Sequence, residues 1–183
     1  LSELRPLRHI RVLKLRGSAP LRGLHSVRIT DKGLEVRPRI ETGFLQAPVG
    51  NASAAGGSKL PFGVAELDAM LRGGVRQGSI TMLLGSSGSG KTLLGMQFLS
   101  EGIKRGERSL YFGFNERPEA ILAKCQRVGI DELTQGVEDG HAQILWHRPV
   151  EGVIDELGES LIQTVREFRP HRLVLDGMEG FEH

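Results

Sequence analysis

From Leu60 onward, the apolar positions of this chain switch repeatedly between two spacings. Short unbroken apolar runs occur at Ser79–Leu84, Leu110–Phe114, Gln143–Trp146 and Leu173–Leu175, and these predict buried strands of a parallel sheet. Between them, apolar residues recur every third or fourth position. Val64 to Leu71 predicts a short helix stopped by Gly73-Gly74. Leu94, Phe98, Leu99 and Ile103 predict a second helix, closed by Gly106. Glu119 to Val128, ending at Gly129, predicts a third. Ile154, Leu157, Leu161, Ile162, Val165 and Phe168 predict a fourth, which ends before Pro170. The alternation of strand and helix implies a parallel sheet with helices on both faces, an α/β fold.

The first 45 residues follow a different pattern. His9 to Leu15 alternates apolar and basic side chains in strand fashion. Val27–Thr30 and Gly33–Val36 flank Asp31-Lys32, which predicts a hairpin. So short a β-rich segment needs a further surface to complete a core. Residues 46–59 are rich in Ala, Gly and Ser, lack aromatic residues, and read as a flexible linker. The organisation expected is therefore a β appendage at 1–45, a linker at 46–59 and an α/β domain at 60–183.

Between the strand at Ser79–Leu84 and the following helix lies Gly85-Ser86-Ser87-Gly88-Ser89-Gly90-Lys91-Thr92. It fits G-x-x-x-x-G-K-[ST], the phosphate-binding loop of nucleoside triphosphatases. The glycines let the backbone turn tightly, so that its N–H groups surround phosphate oxygens. Lys91 supplies a positive charge for the β- and γ-phosphates. The Thr92 hydroxyl suits Mg²⁺, which takes oxygen ligands. The order strand, glycine loop, helix is the one the motif requires, and a Gly/Ser linker would need neither the lysine nor those flanks. ATP with Mg²⁺ is the ligand pair this predicts.

Ligands of such sheets bind at the carboxyl ends of strands. Asp176 ends the last apolar run, the expected form of the second acidic element that holds Mg²⁺ directly or through water. Glu116 follows the strand Leu110–Phe114, where a carboxylate can orient or deprotonate an attacking water. The competing reading of Glu116 is a helix-start acid, because Glu116 and Glu119 flank Pro118.

Net charge is +2 and apolar content 39%, enough for a core and without a global drive toward nucleic acid or membrane. The basic residues crowd toward the start: Arg5, Arg8, Arg11, Lys14, Arg16, Arg22, Arg28, Lys32, Arg37 and Arg39 face only Glu3, Asp31 and Glu35 within the first forty residues. That bias fits either a phosphate or nucleic-acid contact or a solvated face. The single cysteine, Cys125, excludes an internal disulfide, suits a reducing, cytoplasmic compartment, and falls at core spacing. The histidines show no metal-ligand spacing. No apolar run approaches a membrane span and no signal peptide is visible. The chain starts without Met and stops abruptly, and is expected to be a piece of a longer protein.

Leu60-Pro61-Phe62-Gly63-Val64 through Leu67-Asp68, then Gly73-Gly74 and the loop Gly85–Thr92, resemble the KaiC-type branch of the RecA-like ATPases. Lys14-Leu15-Arg16-Gly17-Ser18 and Ile29-Thr30-Asp31-Lys32-Gly33 resemble the tail of the first of two tandem ATPase domains in that family, with residues 60–183 as the front half of the second. The resemblance implies a RecA-like fold, Mg-dependent ATP hydrolysis between the subunits of a hexameric ring, and serine/threonine autokinase chemistry in signalling or circadian-type regulation. It implies that Lys14 and Arg16, with Arg22 and Asp31 nearby, contact a neighbouring subunit's nucleotide at the preceding domain, which accounts for the basic bias without nucleic acid. It also implies a further strand, from residues after His183, between the glycine-loop strand and the Asp176 strand. In the family, two adjacent glutamates end the strand that here ends in Asn115-Glu116. An amide is a poor proton acceptor, so of the catalytic set Lys91, Asn115 and Glu116 the last must act alone, or turnover must be slow. Two other readings stay open: a RecA- or RadA-like DNA-dependent ATPase, and a non-hydrolysing ATP-dependent assembly module.

Overall fold

The computed structural model describes residues 8–39, 57–147 and 154–177. The chain divides into two compact units, Leu1–Asn51 with Gly152–Ile162, and Ala52–Glu151 with Gln163–His183.

In the first unit, β1 (Arg8–Ile10), β2 (His25–Thr30) and β3 (Gly33–Arg37) form an antiparallel sheet in that order. The predicted hairpin forms, with Thr30 opposite Gly33 across the Asp31-Lys32 turn. Thr30 Oγ1 accepts from the Lys32 N–H at 3.3 Å, and Gly33 takes the left-handed φ of 114° that this tight reversal needs. The buried His25 ring bridges the connections on either side of β2. Its Nδ1 accepts from the Arg39 N–H at 3.2 Å, which leaves Nε2 to donate to the Leu21 carbonyl at 3.1 Å. The strand expected over His9–Leu15 is shorter. β1 ends at Ile10 because its partner β2 begins at His25, opposite Ile10, and Arg11–Leu15 are exposed without a ladder partner.

In the second unit, β6 (Ser109–Gly113) lies between β7 (Ala142–Trp146) and β8 (Arg172–Asp176), and both pairings are parallel. This is the α/β sheet the sequence predicts. Of the expected linker, residues 46–56 lie outside the described residues, and Lys59 belongs to a strand. β4 (Lys59–Leu60) pairs with β5 (Val75–Arg76), a hairpin the sequence reading missed, and the short helix α1 (Ala65–Met70) sits in the connection between them. Asp68 fastens the turn before that helix, its carboxylate accepting from the Phe62 and Gly63 N–H groups at 2.7 and 2.9 Å. The helix α2 (Lys91–Lys104) packs on β6 and β8. α3 (Pro118–Arg127) follows β6, with proline at the start where its missing N–H costs nothing. α4 (Glu132–Glu138), also missed, packs on α2 and β7. α5 (Ile154–Phe168), of which residues 154–162 belong to the first unit and 163–168 to the second, leads to β8. Met96, Phe98, Leu99, Tyr111, Ile121, Cys125, Ile130, Leu133 and Ala142 form one buried core between α2, α3, α4 and the sheet.

Ser79–Leu84 departs from expectation. It forms no strand, and Ile80, Met82 and Leu84 are exposed. The physical reason is lateral pairing. A strand needs a neighbour to satisfy its backbone. Among the described residues β8 pairs only with β6, and no strand lies on its other edge.

Two glycines set how closely α2 lies on the sheet. A Cβ at Gly95 would stand 3.0 Å from Val174 Cγ1, and one at Gly102 would stand 2.6 Å from Arg172 Cδ. The two residues are about two helical turns apart, so both face β8. Arg172 itself is fully buried. Its Nε donates to Glu107 at 2.6 Å, one terminal nitrogen donates to the Phe98 carbonyl at 2.9 Å and the Pro61 carbonyl at 2.5 Å, and the guanidinium lies 4.5 Å from the Phe98 ring centroid. One side chain thus ties β8, α2 and the segment entering the domain together. A buried charge is tolerated because it is paired and hydrogen-bonded.

Candidate functional site

The glycine loop makes a tight turn into α2. Gly88 and Gly90 have φ of 79° and 86°, a region other residues enter at a cost, and the turn is closed by the Ser89 N–H on the Ser86 carbonyl at 3.2 Å. Gly90 starts α2 without a side-chain cap, so the first N–H groups of that helix keep their donor capacity and the positive end of the dipole points at the loop. Lys91 folds over the loop, its ammonium donating to the Gly85 and Ser86 carbonyls at 2.7 and 2.8 Å.

The sheet brings in the acid. Register places Gly113 of β6 opposite Asp176 of β8, and the close fit of α2 on β8 carries Thr92 to the same point. Thr92 Oγ1 donates to Asp176 Oδ2 at 2.7 Å, although the two residues are far apart in sequence. Tyr111 donates to the same oxygen at 3.0 Å, through a hydroxyl in a fully buried side chain. Burial first, then the charges of Asp176 and Glu116, pushes the Tyr111 hydroxyl far above the usual phenol range, so it is a donor at every accessible pH. A hydroxyl and a carboxylate oxygen at one spot are the hard oxygen donors that suit Mg²⁺ carried on phosphates, which is bound by one or two protein groups rather than by a full cage. No cluster of three or more His, Cys, Asp or Glu able to hold a metal occurs among the described residues.

Glu116 lies past the end of β6. Both its oxygens accept from Lys124 Nζ of α3 at 2.6 Å. Asn115 lies against the residue after Asp176: a Cβ at Gly177 would stand 2.9 Å from Asn115 Nδ2. Nearby Cys125 is buried, and burial pushes its thiol up to about 11, Glu116 adding to the rise and Lys124 opposing it. It is a core residue.

The loop Gly85–Thr92, Lys91 and Asp176 therefore converge as the sequence places them, with Asn115 beside Asp176. Within the first unit, the basic residues come together only in part. Lys14 and Arg22 line one cavity of about 440 Å³ together with Arg11. Arg16 lies exposed outside its lining, and Asp31 sits at the exposed tip of the β2–β3 hairpin.

Sequence reasoning missed Tyr111, Lys124 and Arg172. For Tyr111 a signal existed. Tyr111 and Gly113 share a face of β6 by the two-residue period. A Cβ at Gly113 would fall 2.6 Å from the tyrosine hydroxyl, so the glycine is what lets that hydroxyl run along the strand to Asp176. Lys124 carried no signal beyond a basic residue late in a helix.

A family model described as "ATPase: KaiC" matches residues 60–183. The "Circadian clock oscillator protein KaiC" of Picosynechococcus sp. is 30% identical over 173 residues, 94% of this chain and 32% of that protein. The protein of the same description from Acaryochloris marina is 29% identical over the same shares. The "Circadian clock protein KaiC3" of Synechocystis sp. is 27% identical over 176 residues, 96% of this chain and 33% of that protein. The chain thus spans about a third of the length of the curated relatives it matches.

Proposed function

The chain belongs to the KaiC family of ATPases, and from that premise we propose that residues 60–183 bind ATP with Mg²⁺ at Gly85–Thr92 and hydrolyse it. The observation that carries the reading is the 2.7 Å contact between Thr92 and Asp176 at the mouth of a phosphate-type loop. The loop N–H groups and the start of α2 hold the triphosphate, and Lys91 leaves the Gly85 and Ser86 carbonyls for the β- and γ-phosphates. Thr92 and Asp176 would hold the cation, which when bound neutralises charge on the phosphate oxygens. Glu116 orients a water in line with the γ-phosphorus and takes its proton. The new P–O bond forms as the bond to the β–γ bridging oxygen breaks, giving ADP and phosphate.

The same centre acting on a serine or threonine hydroxyl would be an autokinase. Label from γ-labelled ATP retained on the protein, against label released as phosphate, separates the two. We place the site in a ring of subunits, with Lys14, Arg16, Arg22 and Asp31 meeting a neighbour's nucleotide at a preceding domain, and in clock-type or signalling regulation like the relatives' names. Asn115 supports a second reading, a module that binds ATP to assemble and does not hydrolyse it.

Lys91→Ala in the full-length protein tests the first reading. Charge-assisted phosphate contacts are the strong ones, so Mg-ATP binding by calorimetry should weaken at least about tenfold, equivalent to ~1.4 kcal/mol. Wild-type affinity in that variant would overturn it. ATP-dependent assembly without phosphate release would select the second reading.

A further inference from the structure

We infer that Lys124 is a positioning residue that holds Glu116 away from its water and thereby keeps turnover slow. The inference rests on the proposed role of Glu116 and adds a restraint to it. A single ammonium sits 2.6 Å from both carboxylate oxygens. In that state the lone pairs facing the ammonium are engaged by Lys124 rather than by a water.

The backbone around Glu116 is braced on both sides. Before it, the Phe114 carbonyl accepts from Trp146 Nε1 at 3.1 Å. After it, the Arg117 carbonyl accepts from the Ala120 and Ile121 N–H groups at 3.0 and 3.1 Å, and the Arg117 guanidinium lies 5.3 Å from the Trp146 ring centroid. With the backbone braced on both sides, rotation of the Glu116 side chain is the simplest way for its carboxylate to exchange Lys124 for the water. Lys124 is anchored in α3, a helix packed into the core through Ile121 and Cys125. The pair itself is partly solvated, with the Lys124 side chain 40% and the Glu116 side chain 29% exposed. An ion pair in that setting is weak enough to open during each turnover. It is a restraint that shifts a population, and the measured strength of such pairs sets the expected change at roughly two- to fivefold in rate.

The test uses the full-length protein and steady-state phosphate release from Mg-ATP. Lys124→Met keeps the aliphatic stem and removes the charge. It should raise kcat about two- to fivefold with KM for ATP unchanged. Lys124→Arg should restore the wild-type rate. Glu116→Gln should lower kcat severely, and adding Lys124→Met to it should change nothing further, because the lysine acts only through that carboxylate. An unchanged or reduced kcat in folded Lys124→Met, or an equal rise in the Glu116→Gln background, overturns the restraint while leaving the role of Glu116 standing. Wild-type turnover in Glu116→Gln overturns that role and the restraint with it. Should Lys124→Met not fold, as judged by circular dichroism, Lys124→Gln carries the same expectations.

Discussion

Replacing Tyr111 by phenylalanine isolates the contact the sequence did not reveal. The ring stays in the core and only the hydroxyl is lost, so the packing of Tyr111 against α2 and α3 is preserved. What disappears is a 3.0 Å hydrogen bond to a carboxylate. Hydrogen bonds to charged groups contribute about 1.5–3 kcal/mol. Asp176 is only half-buried and keeps the 2.7 Å bond from Thr92, so water and Thr92 recover part of the loss. The expected destabilisation is therefore about 1–2 kcal/mol, measured as a lowered midpoint of chemical denaturation. The functional effect should exceed that of a remote mutation of equal cost. With one of two donors gone from Oδ2, Asp176 is free to rotate off the Thr92 side. The Mg²⁺ concentration for half-maximal ATP turnover should rise about three- to tenfold, the equivalent of ~0.7–1.4 kcal/mol, while affinity for nucleotide without the cation stays near wild type. Magnesium titration of phosphate release, beside nucleotide binding in a chelator, reads both. An unaltered magnesium requirement together with unaltered stability would refute the positioning of Asp176 by Tyr111.

Two further substitutions test the packing. Gly102→Ala gains about 1 kcal/mol of helix propensity, but its Cβ meets Arg172 Cδ and Nε at 2.6 and 2.7 Å, where the guanidinium is pinned on every side but one. Displacing a buried ion pair costs about 3–5 kcal/mol, so a net loss of about 2–4 kcal/mol should lower the unfolding temperature, and a stabilised variant would refute the pinning. Gly95→Ala, at 3.0 Å from one Val174 methyl, should stay within about 1 kcal/mol of wild type. His147 provides a pH test. Its ring lies 4.8 Å from that of Phe112, its Nε2 is buried without a partner among the described residues, and burial lowers its pKa below 6.5. The unfolded chain then binds more protons than the folded one, so this contribution to stability is present above about pH 6.5 and is lost as pH falls toward the lowered folded value. Denaturation from pH 7.5 to 5.5 should show a smaller loss for His147→Leu than for wild type, and equal losses would refute the burial of a neutral ring.

Much of the site was legible because its chemistry is local. The spacing of Gly85, Gly88, Gly90, Lys91 and Thr92 has one physical use, and the apolar runs ending at Asn115-Glu116 and Asp176 put acids where parallel strands present their ends. The alternation of period from Leu60 onward likewise determined the α/β class and most elements to within a residue or two. What the sequence could not settle was anything dependent on a partner distant in the chain. Ser79–Leu84 has the composition of a strand, yet a strand is made by its neighbour's hydrogen bonds, and among the described residues none is supplied. Arg11–Leu15 alternates like a strand and is not one for the same reason. Composition placed Lys124 late in a helix and Glu116 in a loop; only the folded turn from β6 into α3 made them one ion pair. The apposition of Thr92, Tyr111 and Asp176 on a single oxygen belongs to the tertiary structure too. It requires parallel register between β6 and β8, a glycine at position 113 to pass the phenol, and glycines at 95 and 102 to let a helix settle close enough for a threonine hydroxyl to reach an aspartate more than eighty residues away.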